Sequence, residues 1–467
     1  MRYISTRGAA PALSFDDVLL TGLARDGGLY LPETWPAFSA EALRALRGRP
    51  YAEVAAAVMR PFVAGSVVET DFEAIVRETY ARFDHAAVTP LKQLDSDLWT
   101  MELFHGPTLA FKDVALQLLG RLFDAVLKQR KRRLTIVGAT SGDTGSAALE
   151  ACRDSDQLDI FILFPKGRTS EVQRRQMTTI PAQNAHAIAV EGTFDDCQDL
   201  VKALFADEAF RDRYGLSAVN SINWARIMAQ IVYYVTAALA LGAPERPVSF
   251  AVPTGNFGNV YAAYAARRMG VPIHRLIVAS NRNDILYRFL KTGEMKIGTV
   301  EPSLSPSMDI QVSSNFERLL HDLTGGNGVA LAALMSNFRK DGRYALDAQR
   351  MAQVEEVFRG FRLDDAGTLE EISATFRATG ETMDPHSAVG LAAARHLAEP
   401  GVPTISLACA HPAKFPDAVE KATGQRPALP ERLADLYDLP ERAAELPNDL
   451  DALRRYVGDH AKGLTPA

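Results

Sequence analysis

The chain has little cysteine: three residues, Cys152, Cys197 and Cys409, among 467. They are too few and too widely spaced for a disulfide framework, and no CxxC pair suggests structural zinc, so a reducing cytoplasm is the expected setting. No stretch offers the roughly 18 consecutive apolar residues expected of a membrane span. The opening MRYISTRGAAPALSFDD lacks a basic segment followed by an apolar run and a small-residue cleavage site, so it does not read as a signal peptide. Positive charge is not in excess either. A formal net charge of −6 argues against general affinity for nucleic acid or anionic membrane, while leaving room for a local basic anion pocket. The absence of a short internal repeat disfavours a solenoid.

What is present reads as a folded, soluble protein, 47% hydrophobic and 23% charged. Its length allows about two to four domains. The first hundred residues look mainly helical, through SFDDVLLTGL, SAEALRALRG and YAEVAAAVMRPF, with ARDGGLYLPETWP as a glycine- and proline-rich connection. From residue 134 the rhythm changes. LTIVGA, LDIFILFP, AHAIAVEG, PVSFAVP and HRLIVAS are short apolar strands separated by helical segments, and TISLAC is the last clear strand. This alternation predicts a mostly parallel sheet covered by helices. Residues 423–467 suggest short helices, with the final AKGLTPA frayed. The expected division is 1–92 for a mainly helical N-terminal domain, 131–220 for a smaller α/β domain, and 93–130 with 221–467 for a large domain and its C-terminal extension.

Three loops carry chemistry. In HGPTLAFKD, Lys112 follows an apolar Leu109-Ala110-Phe111 run. A lysine amine partly desolvated there is more easily deprotonated and can attack an aldehyde; the alternative is a helix-surface lysine with its head in water. In GATSGDTGSA, Gly138, Gly142 and Gly145 permit a close turn at a strand end, and Thr140, Ser141, Asp143 and Thr144 offer convergent polar atoms. That segment matches neither the P-loop nor the GxGxxG fingerprint, and an ordinary strand-to-helix turn also accounts for it. In PTGNFGN, Gly255 and Gly258 let backbone amides converge, Asn256 and Asn259 add donors, and the following helix N-terminus favours an anion. A tight turn whose asparagines satisfy local backbone groups is the competing reading. A lysine, a polar glycine loop and a phosphate cradle together suggest pyridoxal 5'-phosphate, whose aldehyde, phosphate and electron-sink ring match the three parts. His386 and His411 lack partners at a zinc spacing and read as hydrogen-bonded histidines, so no metal is expected. Trp99 and Trp224 read as packing residues.

Across nearly the whole chain, YISTRG, DGGLYLP, HGPTLAFKD, ATSGDTGSAA, NSINWARI, PTGNFGN, SPSMDIQVSSNFERLL, DPHSAVG and AHPAKF follow one another in an order that resembles the threonine synthase family. That family belongs to the tryptophan-synthase-β-like, fold type II pyridoxal-phosphate enzymes. The resemblance implies an α/β protein with two open α/β domains and an additional mainly helical N-terminal region. It implies that Lys112 binds the cofactor aldehyde, that Gly255, Asn256, Phe257, Gly258 and Asn259 hold its phosphate, and that Ser141 to Gly145, with Asp143 and Thr144, lie near cofactor and substrate carboxylate. It also implies a hydroxyl near the pyridine nitrogen at the strand entering AHPAKF, where this chain has Cys409 instead of the expected threonine. Either the thiol substitutes as a weak polar partner, or the carry-over fails at that position.

The implied reaction is that of a carbon–oxygen lyase of threonine biosynthesis. O-phospho-L-homoserine and water become L-threonine and phosphate, by γ-elimination followed by β-addition of water, with Lys112 moving protons. Substrate contacts implied are Ser141, Thr144, Lys166, Arg168 and Ser170 of FPKGRTS, and Asn223 and Arg226 of NSINWARI; Arg168 and Arg226 also fit ordinary ion-pair or capping roles. A cytoplasmic monomer is favoured over a homodimer, without nucleic-acid or membrane partners. A related serine or threonine dehydratase would share the lysine without needing a second phosphate site, and a non-catalytic cofactor-binding protein would keep only the glycine loops.

Overall fold

The computed structural model describes residues 1–463. The frayed ending expected at AKGLTPA therefore falls partly on residues 464–467, which lie outside the described residues. Apolar runs build two sheets. The larger is six-stranded, in the order Phe358–Arg362, Ile273–Ser280, Val248–Pro253, Thr404–Ala408, Leu98–Glu102, Leu91–Asp95. Its strands pair in parallel except for the antiparallel last pair. Every residue of Val248–Pro253 and Thr404–Ala408 is buried, as a strand covered by helices on both faces requires.

The second sheet is five-stranded and parallel, in the order Ala443–Leu446, Ala185–Val190, Leu158–Pro165, Leu134–Ala139, Leu216–Ser217. Its first strand comes from the C-terminal extension. Ala443–Leu446 pairs with Ala185–Val190, and the helix Leu450–His460 sinks Leu453 and Val457 into the core of the smaller sheet. TISLAC is accordingly not the last strand. A four-residue strand has too short an apolar alternation to stand out, and the open edge of a sheet supplies the hydrogen bonds that order it.

The N-terminal region is mainly helical, through Phe15–Thr21, Ala40–Leu46, Tyr51–Val63 and Phe72–Tyr80. DGGLYLP does more than connect, because Tyr30–Pro32 pairs antiparallel with Tyr3–Ser5. Trp224 opens the buried helix Trp224–Ala240 and packs among Tyr3, Trp35 and Phe62, the packing role expected of it. Trp99 is half-buried against the same core. Arg318 ties the region to the rest: fully buried, its guanidinium donates to the carbonyls of Tyr30 and Ile222 and to Asn315. Each of those acceptors would be costly to bury alone.

The helices that carry HGPTLAFKD and SGDTG meet through glycine. A Cβ on Gly120 of Lys112–Arg130 would lie 2.2 Å from the Ala151 carbonyl oxygen of Asp143–Cys152. Backbone cannot yield there as a side-chain tip can. Gly120→Ala is expected to destabilise the protein by about 1–3 kcal/mol, the usual cost of overpacking, despite the better helix propensity of alanine. Thermal unfolding measures this, and an unchanged or raised midpoint would refute the close approach.

Candidate active site

The Gly106-Pro107 turn explains how Lys112 comes to be held inside. Leu109 adopts a left-handed backbone, φ 63°. The Asp113 carboxylate accepts from the Thr108 N–H and hydroxyl, both at 2.8 Å. Phe111 N–H donates to the Cys409 carbonyl at 2.8 Å, and His411 N–H to the Leu109 carbonyl at 3.0 Å. The turn is thus sewn to the end of strand Thr404–Ala408, and helix Lys112–Arg130 begins on the lysine itself. Lys112 is 6% exposed. Its Nζ donates to Asp143 Oδ2 at 2.9 Å and to Ser307 Oγ at 3.2 Å, and lies 4.6 Å from the Phe111 ring centre. A surface lysine does not have this environment.

Asp143 opens the helix Asp143–Cys152 directly after the 140–142 turn, where the Thr140 hydroxyl accepts from Gly142 N–H at 3.0 Å and Gly145 N–H at 2.9 Å. Ser141 and Thr144 are half-buried on the same turn. The other carboxylate oxygen of Asp143 sits 3.0 Å from Lys414 Nζ and accepts from Gln173 Nε2 at 2.9 Å. Burial alone would raise its pKa. The ammonium groups of Lys112 and Lys414, the nearby His386 and the Gln173 hydrogen bond outweigh burial and hold it well below the usual carboxylate range. Sequence reasoning misses Lys414, Ser307 and Gln173. Lys414 in AHPAKF and Ser307 in SPSMD sit in distinctive motifs; nothing in the sequence around Gln173 marks it.

The PTGNFGN turn follows strand Val248–Pro253, beyond the strand's C-terminal end, where open α/β sheets bind ligands. Phe257 is left-handed, φ 61°, immediately before helix Gly258–Arg268, and its ring packs edge-on to Phe316 at 4.9 Å. The ring serves the core, so only backbone faces outward. Gly255 and Gly258 leave no room for side chains: a Cβ on Gly255 would meet the Ser307 carbonyl oxygen at 2.8 Å. The segment 313–315 braces the turn from behind. Ser313 Oγ donates to the Gly255 carbonyl at 2.8 Å, and Asn315 donates to the Asn256 carbonyl through both N–H and Nδ2 at 3.0 Å. Asn259 is held by its oxygen, which accepts from Tyr234 OH at 2.6 Å, while its buried Nδ2 has no partner among the described residues.

Cys409 lies just past strand Thr404–Ala408 in a buried polar web. Its N–H donates to Ser387 Oγ at 2.8 Å, and Ser387 Oγ donates in turn to Asp384. Burial, then the Asp384 carboxylate, push its thiol far above the ordinary range, so the sulfur stays neutral. Asp384 also binds His386 Nδ1 at 2.7 Å, and His386 Nε2 accepts from Ser307 N–H at 3.2 Å. His386 therefore starts a helix and links Asp384 to the Ser307 turn. His411 caps its turn by accepting from Ala413 N–H at 3.2 Å, and burial together with His105 pushes its pKa down to about 4. Among the described residues no group of three or more His, Cys, Asp or Glu side chains could hold a metal.

The remaining expected contacts fall into two groups. Lys166 is exposed and paired with Glu445 at 2.7 Å, Arg168 is exposed, and Ser170 caps helix Glu171–Thr178. That helix also supplies Gln173, so the 166–170 loop lies next to Asp143 without touching Lys112. Asn223 caps helix Trp224–Ala240, accepting from Ala225 N–H at 3.0 Å and donating to the Leu19 carbonyl at 2.8 Å. Arg226, on the same helix, is 5% exposed, and its Nε has no hydrogen-bond partner among the described residues. Burial lowers its pKa to about 10, yet it stays cationic. Unlike Arg318, whose guanidinium is satisfied by carbonyls, Arg226 keeps a buried donor that an anion could accept from.

These parts fit a phosphate-bearing pyridoxal ring: a buried amine for its aldehyde, a glycine turn at a helix start, and, among the described residues, an unpartnered Nδ2 on Asn259 and an unpartnered Nε on Arg226. They define a pyridoxal-phosphate-dependent enzyme of fold type II. The family model for pyridoxal-phosphate dependent enzymes matches residues 83–336, that for the threonine synthase N terminus residues 2–80, and that for the threonine synthase C-terminal part residues 387–457. The chain is 58% identical to the threonine synthase of Pseudomonas aeruginosa, with all of both chains covered. It superposes on pyridoxal-phosphate-bound threonine synthase from Brucella melitensis with TM-score 0.97 and 53% identity, covering 99% and 100% of the two chains. The yeast threonine synthase structure gives 0.94 and 37%, covering 98% of each. The chain belongs to the threonine synthase family, and it is a pyridoxal-phosphate-dependent lyase of threonine biosynthesis. The dehydratase and non-catalytic alternatives are not favoured, since both ends of the chain match threonine synthase models.

Borohydride reduction of the cofactor-loaded protein is expected to leave the pyridoxyl group on Lys112. Lys112→Ala is expected to lose that label and nearly all turnover; peptide mapping that finds the label only on another lysine, Lys414 included, would reassign the site.

Proposed function

We propose that conversion of O-phospho-L-homoserine and water to L-threonine and phosphate is carried out in this chain by Lys112, with Gly255, Asn256, Phe257, Gly258 and Asn259 holding the cofactor phosphate and Arg226 taking the phosphate of the substrate. The observation that carries this reading is the buried Arg226, whose Nε has no hydrogen-bond partner among the described residues, on a helix packed against the helix Gly258–Arg268 that follows the PTGNFGN turn. Bound pyridoxal phosphate supplies an aldehyde for the amine and an electron sink for a substrate carbanion.

The chain's own residues do the rest. The backbone N–H groups of the PTGNFGN turn and Asn259 Nδ2 bind a phosphate at a helix N-terminus, where the dipole favours negative charge. Lys112 Nζ, within one hydrogen bond of Asp143 and Ser307, moves the proton at the substrate Cα. Arg226 orients the Cγ phosphate and stabilises its charge as it leaves. Ser141 and Thr144, on the Asp143 turn, take the substrate carboxylate. Asn223 supports the Arg226 helix start. Lys166 is already paired and Ser170 already caps a helix, so Arg168 is the one of that loop with a charge free for substrate among the described residues. Cys409 meets the pyridine nitrogen as a neutral thiol.

We take the three expected units, 1–92, 131–220 and 93–130 with 221–467, to be the domains, with Ala443–Leu446 of the C-terminal extension paired to the smaller sheet; limited proteolysis at the boundaries tests this. No helix among the described residues is long and apolar enough to cross a membrane. We take the chain to act as a cytoplasmic monomer, which light scattering of the purified protein tests for the oligomeric state and fractionation of cells for the location.

Incubation with O-phospho-L-homoserine is expected to yield threonine and inorganic phosphate in equal amounts. Arg226→Gln is expected to lower kcat/KM for this substrate about 10- to 100-fold, the worth of a charge-assisted hydrogen bond, while leaving cofactor absorbance intact. Wild-type kinetics in that variant would remove Arg226 from the site. Cys409→Thr, which supplies a hydroxyl where the thiol stands, is expected to fold, load cofactor and turn over. If it folds but does not bind cofactor, Cys409 has a different local role.

A further inference from the structure

Two lysines share one buried carboxylate, and the proposed chemistry uses only one of them. Lys112 Nζ lies 2.9 Å from Asp143 Oδ2, and Lys414 Nζ lies 3.0 Å from Oδ1. Lys414 is 0% exposed and also donates to the Thr108 carbonyl at 2.7 Å, in the turn that leads to Lys112. An ammonium fully removed from water is seldom found without a specific partner. The other charged groups near Lys112 are committed elsewhere. Asp113 is bound by Thr108 and Gln117 and also feels the Lys414 charge without an ion-pair contact, and Asp384 is bound by His386 and Ser387.

We propose that Lys414 is a positioning residue, the permanent counter-ion of Asp143, which frees Lys112 to give up its charge during catalysis. Condensation of the Lys112 ammonium with the cofactor aldehyde would release two of its hydrogens with the carbonyl oxygen as water and would leave the third shared between the imine nitrogen and the ring oxygen beside it, so that Lys112 would no longer offer Asp143 a full ammonium. Asp143 then keeps Lys414. Without Lys414, loading would strand a buried carboxylate that has lost its cation, the costliest way to break a buried pair. Before loading, Asp143 has two cations, so either one alone suffices.

This inference rests on Lys112 being the cofactor lysine, and the test separates the two. Apoprotein of Lys414→Gln, which keeps a hydrogen-bond donor and loses the charge, is titrated with pyridoxal 5'-phosphate by absorbance. Its dissociation constant is expected to rise about tenfold or more, while Lys414→Arg stays near wild type. The double variant Asp143→Asn with Lys414→Gln leaves no buried carboxylate at position 143 to lose its cation on loading and is expected to bind cofactor more tightly than Lys414→Gln alone. In apoprotein, Lys112→Ala and Lys414→Gln are each expected to lower the thermal midpoint modestly, and together by more than the sum. Wild-type affinity in Lys414→Gln, no recovery in the double variant, or additive midpoints would overturn the proposal. If Lys414→Gln does not fold, folding of the double variant supports the counter-ion role, and its failure to fold overturns it. A pyridoxyl label found away from Lys112 would instead overturn the underlying assignment.

Discussion

A single buried carboxylate organises the site. Asp143 stands at the first turn of its helix, where the N-terminal dipole and the neighbouring amides favour a negative charge. Out of water, an ionised carboxylate persists only when paired and hydrogen-bonded. Lys112, Lys414 and Gln173 meet that demand from three different segments. Each must therefore come to the same small volume: the HGPTLAFKD turn, the AHPAKF turn and the helix after FPKGRTS. The Lys112 amine is held by the same charge balance that holds the loops.

The anion cradle is built on the opposite principle. Close packing leaves no room for a Cβ at Gly255, and Phe257 turns its ring into the core. Such a turn needs bracing from behind, and the 313–315 segment gives it by donating to the carbonyls of Gly255 and Asn256. Asn315 in turn is gripped by Arg318, which also binds the Tyr30 and Ile222 carbonyls. The N-terminal region, remote in sequence, is thereby linked by hydrogen bonds to the PTGNFGN turn. Its Arg7–Glu317 ion pair, at 2.8 Å and nearly buried, fastens the same segment a second time.

Much of the fold is legible in the residues alone. Continuous apolar runs such as LDIFILFP and VSFAVP identify buried parallel strands, because a strand covered on both faces has no polar side to show. Lys112 and the PTGNFGN turn are legible because a lysine in apolar company and closely spaced glycines both need a special reason. The strand Ala443–Leu446 is not, since four residues hold too little pattern and its order comes from a sheet edge roughly 250 residues earlier in the chain. The Asp384–His386–Ser307 connection escapes for a related cause. Each residue alone reads as a cap or a turn, and only contact gives them a joint role.

By itself, the order of residues determined the central buried strands and the long helices, a lysine in apolar company and a glycine-rich turn, and to which family the motifs belong. Those properties live in local pattern: periodicity, turn chemistry and the spacing of short motifs. Tertiary structure alone decided that Lys414 shares Asp143 with Lys112, that Lys166 is spent on Glu445, and that Arg226 is buried with no partner for its Nε among the described residues. Charges act through space, and whether a lysine or arginine is paired, solvated or stranded depends on what folding brings within a few ångströms. No spacing along the chain records that.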